Sequence, residues 1–377
     1  MDERTTLMGT LDGVKIVELA GLGPVPFAAM MMADMGADIV RIDPPTQPPS
    51  GDTEDIAWMG DKETPIWRGR SAVQLDLKTT GDRERAMELI ANADVILEGF
   101  RPGVMERLGI GPDDCHARNE GLIYARMTGW GQTGPMKDAA GHDVNYLALS
   151  GVLRYIAREG ERPLPPLNLL ADFGGGGMLL TVGVLSALIE RNRSGMGQTI
   201  DAAMLDGSAL LMTSIMGWMN RGSWVEPPGT NVIDTGAPFY EVYTTKDNRH
   251  MAFGSVEPKF YRELVQVLDI DPEVLSPQFD RSRWPAMKLV FANAVAQRTL
   301  EEWTEAFQGH QACATGVFDM KEAAAHPHNV ARGTFLEIDG VLQPAPAPRF
   351  DRTPSTVQPP RTDETVDTVL SRWSEHR

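Results

Sequence analysis

Residues 14–42 read VKIVELAGLGPVPFAAMMMADMGADIVRI and decide the fold. Val14 to Glu18 form an apolar run of strand length, and a glycine-containing turn follows it. Val25 to Met35 has the apolar spacing of a helix, which Gly36 ends as a C-cap. Ala37 to Ile42 is a second apolar run. The stretch therefore predicts two parallel strands joined by a right-handed helical crossover.

The same alternation continues along the next part of the chain. Val73 to Leu77, Val95 to Glu98 and Leu122 to Met127 are apolar runs, and Arg83 to Asn92 has helical spacing. Alternating strands and helices are typical of an open parallel sheet with helices on both faces. We therefore expect an α/β fold with a doubly wound, Rossmann-like large domain.

A smaller domain is indicated by a later change in pattern. An apolar helix over Gly177 to Arg191 and a Met-rich helix over Asp206 to Trp218 precede it. From about residue 224 to 333, short strands and helices mix, which favours an α+β domain. Gln343 to Pro360 is proline-rich and is expected to run extended before a last helix. The expected boundaries are residues 1–220 for the large domain, completed by 336–377, and residues 221–335 for the small domain.

Charge and cysteine content exclude several classes of protein. The formal net charge of −17 repels nucleic acid, so we expect no nucleic-acid partner. Cys115 and Cys313 lie far apart and form no C-x-x-C pair, which fits a reducing, cytoplasmic location. Met1 to Asp12 lacks the apolar core of a secretory signal. The apolar run Met178 to Ile189 is too short to span a bilayer, so no membrane partner is expected.

The first glycine turn bears on dinucleotide binding. Gly21 and Gly23 follow a strand, and Asp43 closes the next strand at a suitable distance. Pro26 stands where the third glycine of G-x-G-x-x-G is required for close helix packing. The turn is therefore interpreted as a tight strand-to-helix connection over which some ligand passes, rather than as a nicotinamide site.

Two polar clusters could carry chemistry. His142 lies in Gly141 to Tyr146, and an imidazole takes and returns a proton near neutral pH, although a His–Asp pair is also common as a structural hydrogen bond. Asp172 precedes four glycines, Gly174 to Gly177, and a helix. It could cap that helix, but bare glycine backbone could also bring amides to a ligand oxygen and hold an enolate. Glu257, after a strand, means little without a partner.

Several longer motifs occur in a fixed order along nearly the whole chain. They are VELAGLGP (17–24), LDLK (75–78), FRPGVMERL (100–108), TGWGQTGP (128–135), GHDVNY (141–146), PPLNLLADFGGG (165–176) and AHPH (325–328). In this order they resemble the α-methylacyl-CoA racemases, a branch of the family III CoA-transferases (the CaiB/BaiF superfamily).

The resemblance implies a role for each matching residue. His142 is the expected base, Asp172 the acid/base carboxylate on the opposite face, and Glu257 the residue that orients the histidine. The expected contacts to the CoA part of the substrate are Leu75, Asp76, Leu77, Lys78, Arg101, Arg107, Gly141, Asp143, Asn145 and Tyr146. No metal and no cofactor is expected, since CoA is part of the substrate. The resemblance also implies a homodimer of two interlocked chains.

One position departs from the family pattern. The family usually has an arginine after the acidic residue that closes the second strand, where this chain has Pro44. Arg41 is expected to contact the nucleotide end in its place, with Arg68 or Arg70 as alternatives. Such clustered arginines could equally be solvated surface residues. The loop from Pro45 to Thr64 looks longer than usual.

The resemblance implies an isomerase that inverts the α-carbon of 2-methylacyl-CoA thioesters by two-base proton transfer through an enolate. Backbone amides around Asp143 or the glycine run would hold the enolate oxygen. A CoA-transferase is the rival, with Asp172 attacking the thioester and forming an aspartyl-CoA anhydride. His142 favours the racemase, because family transferases usually have an aromatic residue there. An acyl-CoA carrier without catalysis is a third hypothesis. A carrier would need the arginines but would not require His142, Asp172 and Glu257.

Overall fold

The computed structural model describes residues 9–19, 21–45, 64–358 and 363–375, which form two compact units. The first unit comprises the described residues as far as Ser150, then Pro166–Leu211, and those from Leu336 onward. The second comprises Gly151–Pro165 and Met212–Phe335. Most of the loop from Pro45 to Thr64, residues 46–63, lies outside the described residues.

Two short segments differ from the domain boundaries expected from the sequence. Residues 151–165 and 212–220 group with the second unit rather than with the large domain. Two ion pairs join the first segment to later residues of the second unit. Arg158 binds Glu241 at 2.5 Å, and Arg154 binds Glu226 at 3.0 Å.

A six-stranded parallel sheet forms the centre of the first unit, in the order β3-β2-β1-β4-β5-β6. The predicted doubly wound α/β class is thereby confirmed. Strand β3 begins at Arg70, three residues before the predicted start, because Arg70 pairs with Ile39 of β2. The strands are β1 (Lys15–Leu19), β2 (Asp38–Asp43), β3 (Arg70–Gln74), β4 (Val95–Glu98), β5 (Ile123–Thr128) and β6 (Gln198–Ala203).

Helices cover both faces of this sheet. Their bounds are α1 (Pro24–Asp34), α2 (Thr80–Ala91), α3 (Val104–Arg107), α4 (Pro112–His116), α5 (Asp143–Leu149), α6 (Leu179–Ser194), α7 (Met204–Leu211) and α14 (Val366–Glu375). On one face, Leu89 of α2 and Trp373 of α14 pack with Val17 of the sheet in one apolar cluster. The C-terminal helix thus completes the first unit, as the sequence predicts.

A π-helical segment, Leu169–Met178, runs directly into helix α6, and the two form one apolar helix. The combined helix, Leu169–Ser194, has 26 residues and is therefore longer than the apolar run Met178 to Ile189 found in the sequence. Its most apolar 18 residues have a mean hydropathy of 1.5. By length and composition alone it could cross a membrane. Its Leu180, Val184 and Leu188 are buried, and it packs against β5 and β6, as a core helix does.

The predicted single Met-rich helix over Asp206 to Trp218 is wrong. The chain forms two helices, α7 and α8 (Thr213–Asn220), which are separated at Met212. The ψ angle of Met212 is 1°, far from the helical value, so the hydrogen-bond ladder does not continue through it.

The second unit contains a three-stranded antiparallel sheet, β7-β8-β9. Its core is aromatic and includes Phe239, Tyr261, Trp284, Phe291 and Trp303. Further elements of the chain are β7 (Tyr240–Thr244), β8 (His250–Gly254), α9 (Pro258–Val267), α10 (Trp284–Val295), α11 (Leu300–Ala306), β9 (Ala314–Gly316), α12 (Met320–Ala325), α13 (Pro327–Arg332), and the hairpin of β10 (Phe335–Ile338) and β11 (Val341–Pro344).

Candidate active site

A cavity of about 400 Å³ opens at the carboxyl ends of the central strands. It lies where the strand order reverses between β1 and β4, the place where open α/β sheets bind ligands. Residues 75–78, all expected to contact CoA, line it together with Arg107. Leu19 and Phe100 supply apolar surface, while Lys78 and Arg107 are exposed.

A second cavity, of about 260 Å³, contains His142. Arg101, Gly141 and Tyr146, three of the predicted contact residues, line it as well. Phe100 lines both cavities, so the two are neighbours in the first unit.

The backbone around His142 is fixed by its neighbours. His142 precedes α5 in an extended conformation, and Asn145 Oδ1 accepts a hydrogen bond from the His142 N–H at 3.0 Å. The Tyr146 hydroxyl donates to the Gly141 carbonyl. Only glycine fits at position 141, because a Cβ there would lie 2.7 Å from the Trp130 ring. Asn145 and Tyr146, expected to contact substrate, thus also shape the loop that presents the exposed imidazole.

Tyr146 stays a neutral phenol over the ordinary working range of pH. Burial raises its pKa to about 12, the carboxylates of Asp172 and Asp143 act in the same direction, and Arg101 opposes them. The ring meets Trp130 edge to face, with centroids 4.7 Å apart.

Asp172 lies inside the π-helical segment, so the alternative that it caps a helix is wrong. The helix already begins at Leu169. Burial raises the pKa of Asp172; a 3.3 Å hydrogen bond from Asn168 Nδ2 opposes this, the Asp143 carboxylate raises it further, and His142 lowers it. Sequence reasoning missed Asn168, although its spacing of four residues from Asp172 would have placed both on one helical face.

The first glycine turn passes beside Asp172. Gly23 has a φ of +72°, and a Cβ added there would lie 3.5 Å from Asp172 Oδ2. This glycine is needed for its backbone conformation, and it leaves the carboxyl group uncovered on that side.

The side chain of Asp143 is internal, so the contact with substrate expected of this residue is left to its backbone amide. It is only 5% exposed. Its Oδ2 accepts hydrogen bonds from the backbone N–H groups of Ala171 at 2.8 Å and Asp172 at 2.9 Å. Asp143 directly follows His142, so one carboxylate connects the segments that carry the two candidate acid/base residues.

The glycine run does not offer free backbone to a ligand, so this expectation is wrong for Gly175–Gly177. These three glycines are buried. A Cβ on Gly175 would lie 2.7 Å from the Ser208 nitrogen, and one on Gly177 would lie 2.8 Å from the Pro24 oxygen. The glycines allow the π-helical segment to pack closely on α7 and α1. The backbone amide of Asp143 remains the predicted donor to the enolate oxygen.

The arginines near Pro44 are neither solvated nor open to a phosphate, which corrects the expectation for Arg41, Arg68 and Arg70. Each guanidinium is buried against an internal carboxylate. Trp67 lies beneath Arg41 and Arg70, with the guanidinium carbons 4.7 and 5.3 Å from its ring centroid. The pairs are Arg41 with Asp43 at 2.7 Å, Arg68 with Asp34 at 2.5 Å, and Arg70 with Glu18 at 3.2 Å. Arg101 and Arg107 remain exposed.

Glu257 lies in the second unit, at the residue before α9. It is exposed, and its side chain makes no capping hydrogen bond. Its partnership with His142 stays a prediction.

Comparison with known proteins identifies the family. The model of CoA-transferase family III matches residues 11–365. Mouse and human proteins, both named alpha-methylacyl-CoA racemase, are 46% and 43% identical to this chain over 347 and 346 residues. Each alignment covers 92% of this chain and 87% of the relative. A crystal structure of Rv3272 from M. tuberculosis has a TM-score of 0.77 and 25% identity, covering 97% of this chain and 99% of that one.

These matches confirm the resemblance found in the motifs. The transferases represent only the broader family, whereas the racemases match over most of this chain at more than 40% identity. The chain therefore belongs to CoA-transferase family III and, within it, to the alpha-methylacyl-CoA racemases.

Proposed function

We propose that this enzyme is an isomerase that inverts the α-carbon of 2-methylacyl-CoA thioesters by moving one proton off and one proton on. One observation carries the proposal. His142 opens into a cavity beside the strand ends, and the backbone of Asp172 is held by the residue next to that histidine. We infer that the imidazole and the half-buried carboxyl group serve one reaction, since His142 is near enough to lower the pKa of Asp172.

The two groups act on opposite faces of the α-carbon. Neutral His142 removes the proton from the S epimer, and the electron pair moves into the thioester carbonyl to give an enolate. Protonated Asp172 then delivers a proton to the other face, and the roles exchange for the R epimer. Its raised pKa suits this task, because a larger fraction of the carboxyl groups carries a proton to donate. Each group is expected to contribute about 10² to 10⁴ in rate.

The CoA part of the substrate lies in the cavity at the strand ends. The protein is acidic overall, so its cations must be gathered locally to hold phosphates. Lys78 and Arg107 line that cavity, and Arg101 lines the neighbouring one. An exposed arginine can bind a phosphate with two parallel hydrogen bonds.

The proposed reaction needs no metal and no added cofactor, because the thioester carbonyl itself accepts the electron pair. A homodimer and a cytoplasmic location are part of the same proposal. Met178, at the end of the π-helical segment, forms an exposed apolar row with Val182 and Ile189 of α6. These side chains are 48–65% accessible in the single chain, and a second copy would cover them. Sedimentation equilibrium tests the dimer, and a chain of monomer mass would overturn it.

The decisive experiment uses one epimer of a 2-methylacyl-CoA in deuterated water. We expect deuterium at the α-carbon and both epimers in the product. Transfer of CoA to an added free acid, with the α-proton unchanged, would establish the transferase instead. Binding without either reaction would establish a carrier.

A His142→Ala variant provides the residue-level test. It should lose inversion and keep CoA binding, because His142 is exposed and its removal leaves the core packing in place. If CoA binding also disappears, the histidine is structural and the assignment fails.

A further inference from the structure

Asp143 is placed to control the second acid/base group. Its carboxylate is buried, yet it follows the exposed His142 directly in sequence. Oδ2 receives two backbone N–H groups, those of Ala171 and Asp172, from a segment 28 and 29 residues further along the chain. Short helix α5 and the π-helical segment are therefore joined at their N-terminal ends by one side chain.

These two N–H groups belong to the first turn of their helix. Groups in the first turn have no partner within the helix, and a side chain at the N-cap commonly binds them. Here the N-cap residue Asn168 makes no such bond, and its amide donates to Asp172 Oδ2 instead. Asp143 therefore supplies the missing cap from another helix, which fixes the position of Asp172 relative to α5.

The negative charge of Asp143 also acts on Asp172. Its second oxygen, Oδ1, is buried without a hydrogen-bond partner among the residues that the structure describes. The groups facing Asp172 are Asn168 on its own helix and His142 and Asp143 on the α5 side; Tyr146 lies near both aspartates. The adjacent turn, residues 21–24, contributes no charged side chain. Asp143 raises the pKa of Asp172, in addition to the effect of burial.

We infer that Asp143 is a positioning residue of the racemase, which holds the Asp172 backbone against the His142 helix and keeps Asp172 in its proton-donating form. This inference rests on the proposed function. It assigns to the Asp143 side chain a task separate from that of its backbone amide.

Two variants separate position from charge. Asp143→Asn keeps an oxygen that can accept both N–H groups and removes the negative charge. Asp143→Ala removes both. For Asp143→Ala we expect kcat to fall about 10²-fold, because a displacement near 1 Å costs that much in proton transfer. The dissociation constant for CoA should stay as in the wild type.

For Asp143→Asn, the readout is the pH profile of kcat/KM for the S epimer, the direction in which Asp172 acts as the acid. Lowering the pKa of Asp172 reduces the fraction of enzyme that has neutral His142 together with protonated Asp172. The plateau should fall, and the bend on the acid side should move to lower pH by the same factor, since both report one equilibrium. A residue that was only structural would lower the profile without moving its bend.

Asp234 provides the matched control in the second unit. It is also buried, and it also accepts backbone N–H groups, from Gly229 at 2.8 Å and Asn231 at 2.6 Å. Asp234→Asn should leave the shape of the pH profile as in the wild type.

The possible outcomes distinguish the two hypotheses. If the wild type exchanges no α-proton, the proposed function fails. If it exchanges normally, and Asp143→Ala keeps the wild-type kcat or Asp143→Asn keeps the wild-type bend, the inference about Asp143 fails alone. If Asp143→Ala does not fold, the bend in the Asp143→Asn profile decides.

Discussion

Replacing Gly175 by alanine should loosen the helix that carries Asp172. The added Cβ would lie 2.7 Å from the backbone nitrogen of Ser208 and 2.8 Å from the carbonyl carbon of Gly207, both on α7. Backbone atoms cannot rotate away as a side chain can, so the two segments must separate from 2.7 Å towards the 3.4 Å of ordinary contact. Overpacking of this kind costs about 1–3 kcal/mol.

The thermal shift follows from that free energy. Unfolding entropy of about 2.1 cal/mol/K per residue gives about 0.8 kcal/mol/K for a chain of this length, so Tm should fall by about 1–4 °C. Asp172 is three residues from Gly175 on the same helix and should move with it. We therefore expect α-deuteration to slow by about tenfold or more.

The assay compares Gly175→Ala with Gly81→Ala, by thermal unfolding followed with circular dichroism and by deuterium incorporation. Gly81 lies in α2, and a Cβ there would meet nothing within 4 Å. Alanine at position 81 should stabilise the protein by up to about 1 kcal/mol and leave the rate unchanged. If Gly175→Ala unfolds at the wild-type temperature and exchanges at the wild-type rate, close packing is not the reason for glycine there.

Three further predictions concern charged groups. Asp172→Asn should abolish inversion but raise Tm at neutral pH. Because the pKa of Asp172 is raised in the folded protein, its ionised form destabilises the fold as pH rises through that pKa. The gain in Tm over the wild type, measured from pH 4 to 8, should therefore shrink towards acid pH. Asp34→Ala leaves Arg68 buried without its carboxylate and should lower the free energy of unfolding in urea by about 3–5 kcal/mol. Glu84→Ala, which breaks an exposed ion pair, should lower it by about 0–1 kcal/mol. Equal losses would contradict this. Arg107→Ala should weaken CoA binding, measured by calorimetry, about tenfold. Tm should stay unchanged, because the Arg107 side chain is exposed at the cavity rim. An unchanged dissociation constant would show that Arg107 does not bind the phosphates.

The fold was predictable because its signals are local. The strand, helix and strand over residues 14–42 appear in the structure as β1, α1 and β2, with boundaries shifted by about one residue. The buried arginines were not predictable in this way. Arg68 and Arg70 find their carboxylates 34 and 52 residues earlier, on elements brought near only by the fold. A cluster of arginines in sequence does not reveal whether their partners are internal.

The candidate site shows the same division. Residue type made His142 and Asp172 candidates for proton transfer, and the ordered motifs, through their resemblance to the racemases, gave each of them a role. The sequence does not reveal the environment of Asp172, because the glycine run has the composition of a helix entrance, whereas the helix begins at Leu169. Periodicity cannot distinguish a glycine that exposes backbone from one that admits a neighbouring helix. The distinction requires knowledge of α7, whose residues lie about thirty positions later.

A two-base reaction on one carbon requires the two groups to keep a fixed separation while substrates of different length bind. The Asp172 segment is fastened at its N-terminus by Asp143 to α5, and along its glycine face to α7. Helices α5 and α7 also contact each other within the same unit. The distance between the imidazole and the carboxyl group is thus determined mainly by backbone contacts. Asp143 is the side chain that takes part, because it binds the backbone of the Asp172 segment. Variation in residues that contact only the acyl chain should therefore alter KM across a panel of 2-methylacyl-CoAs more than it alters the pH profile.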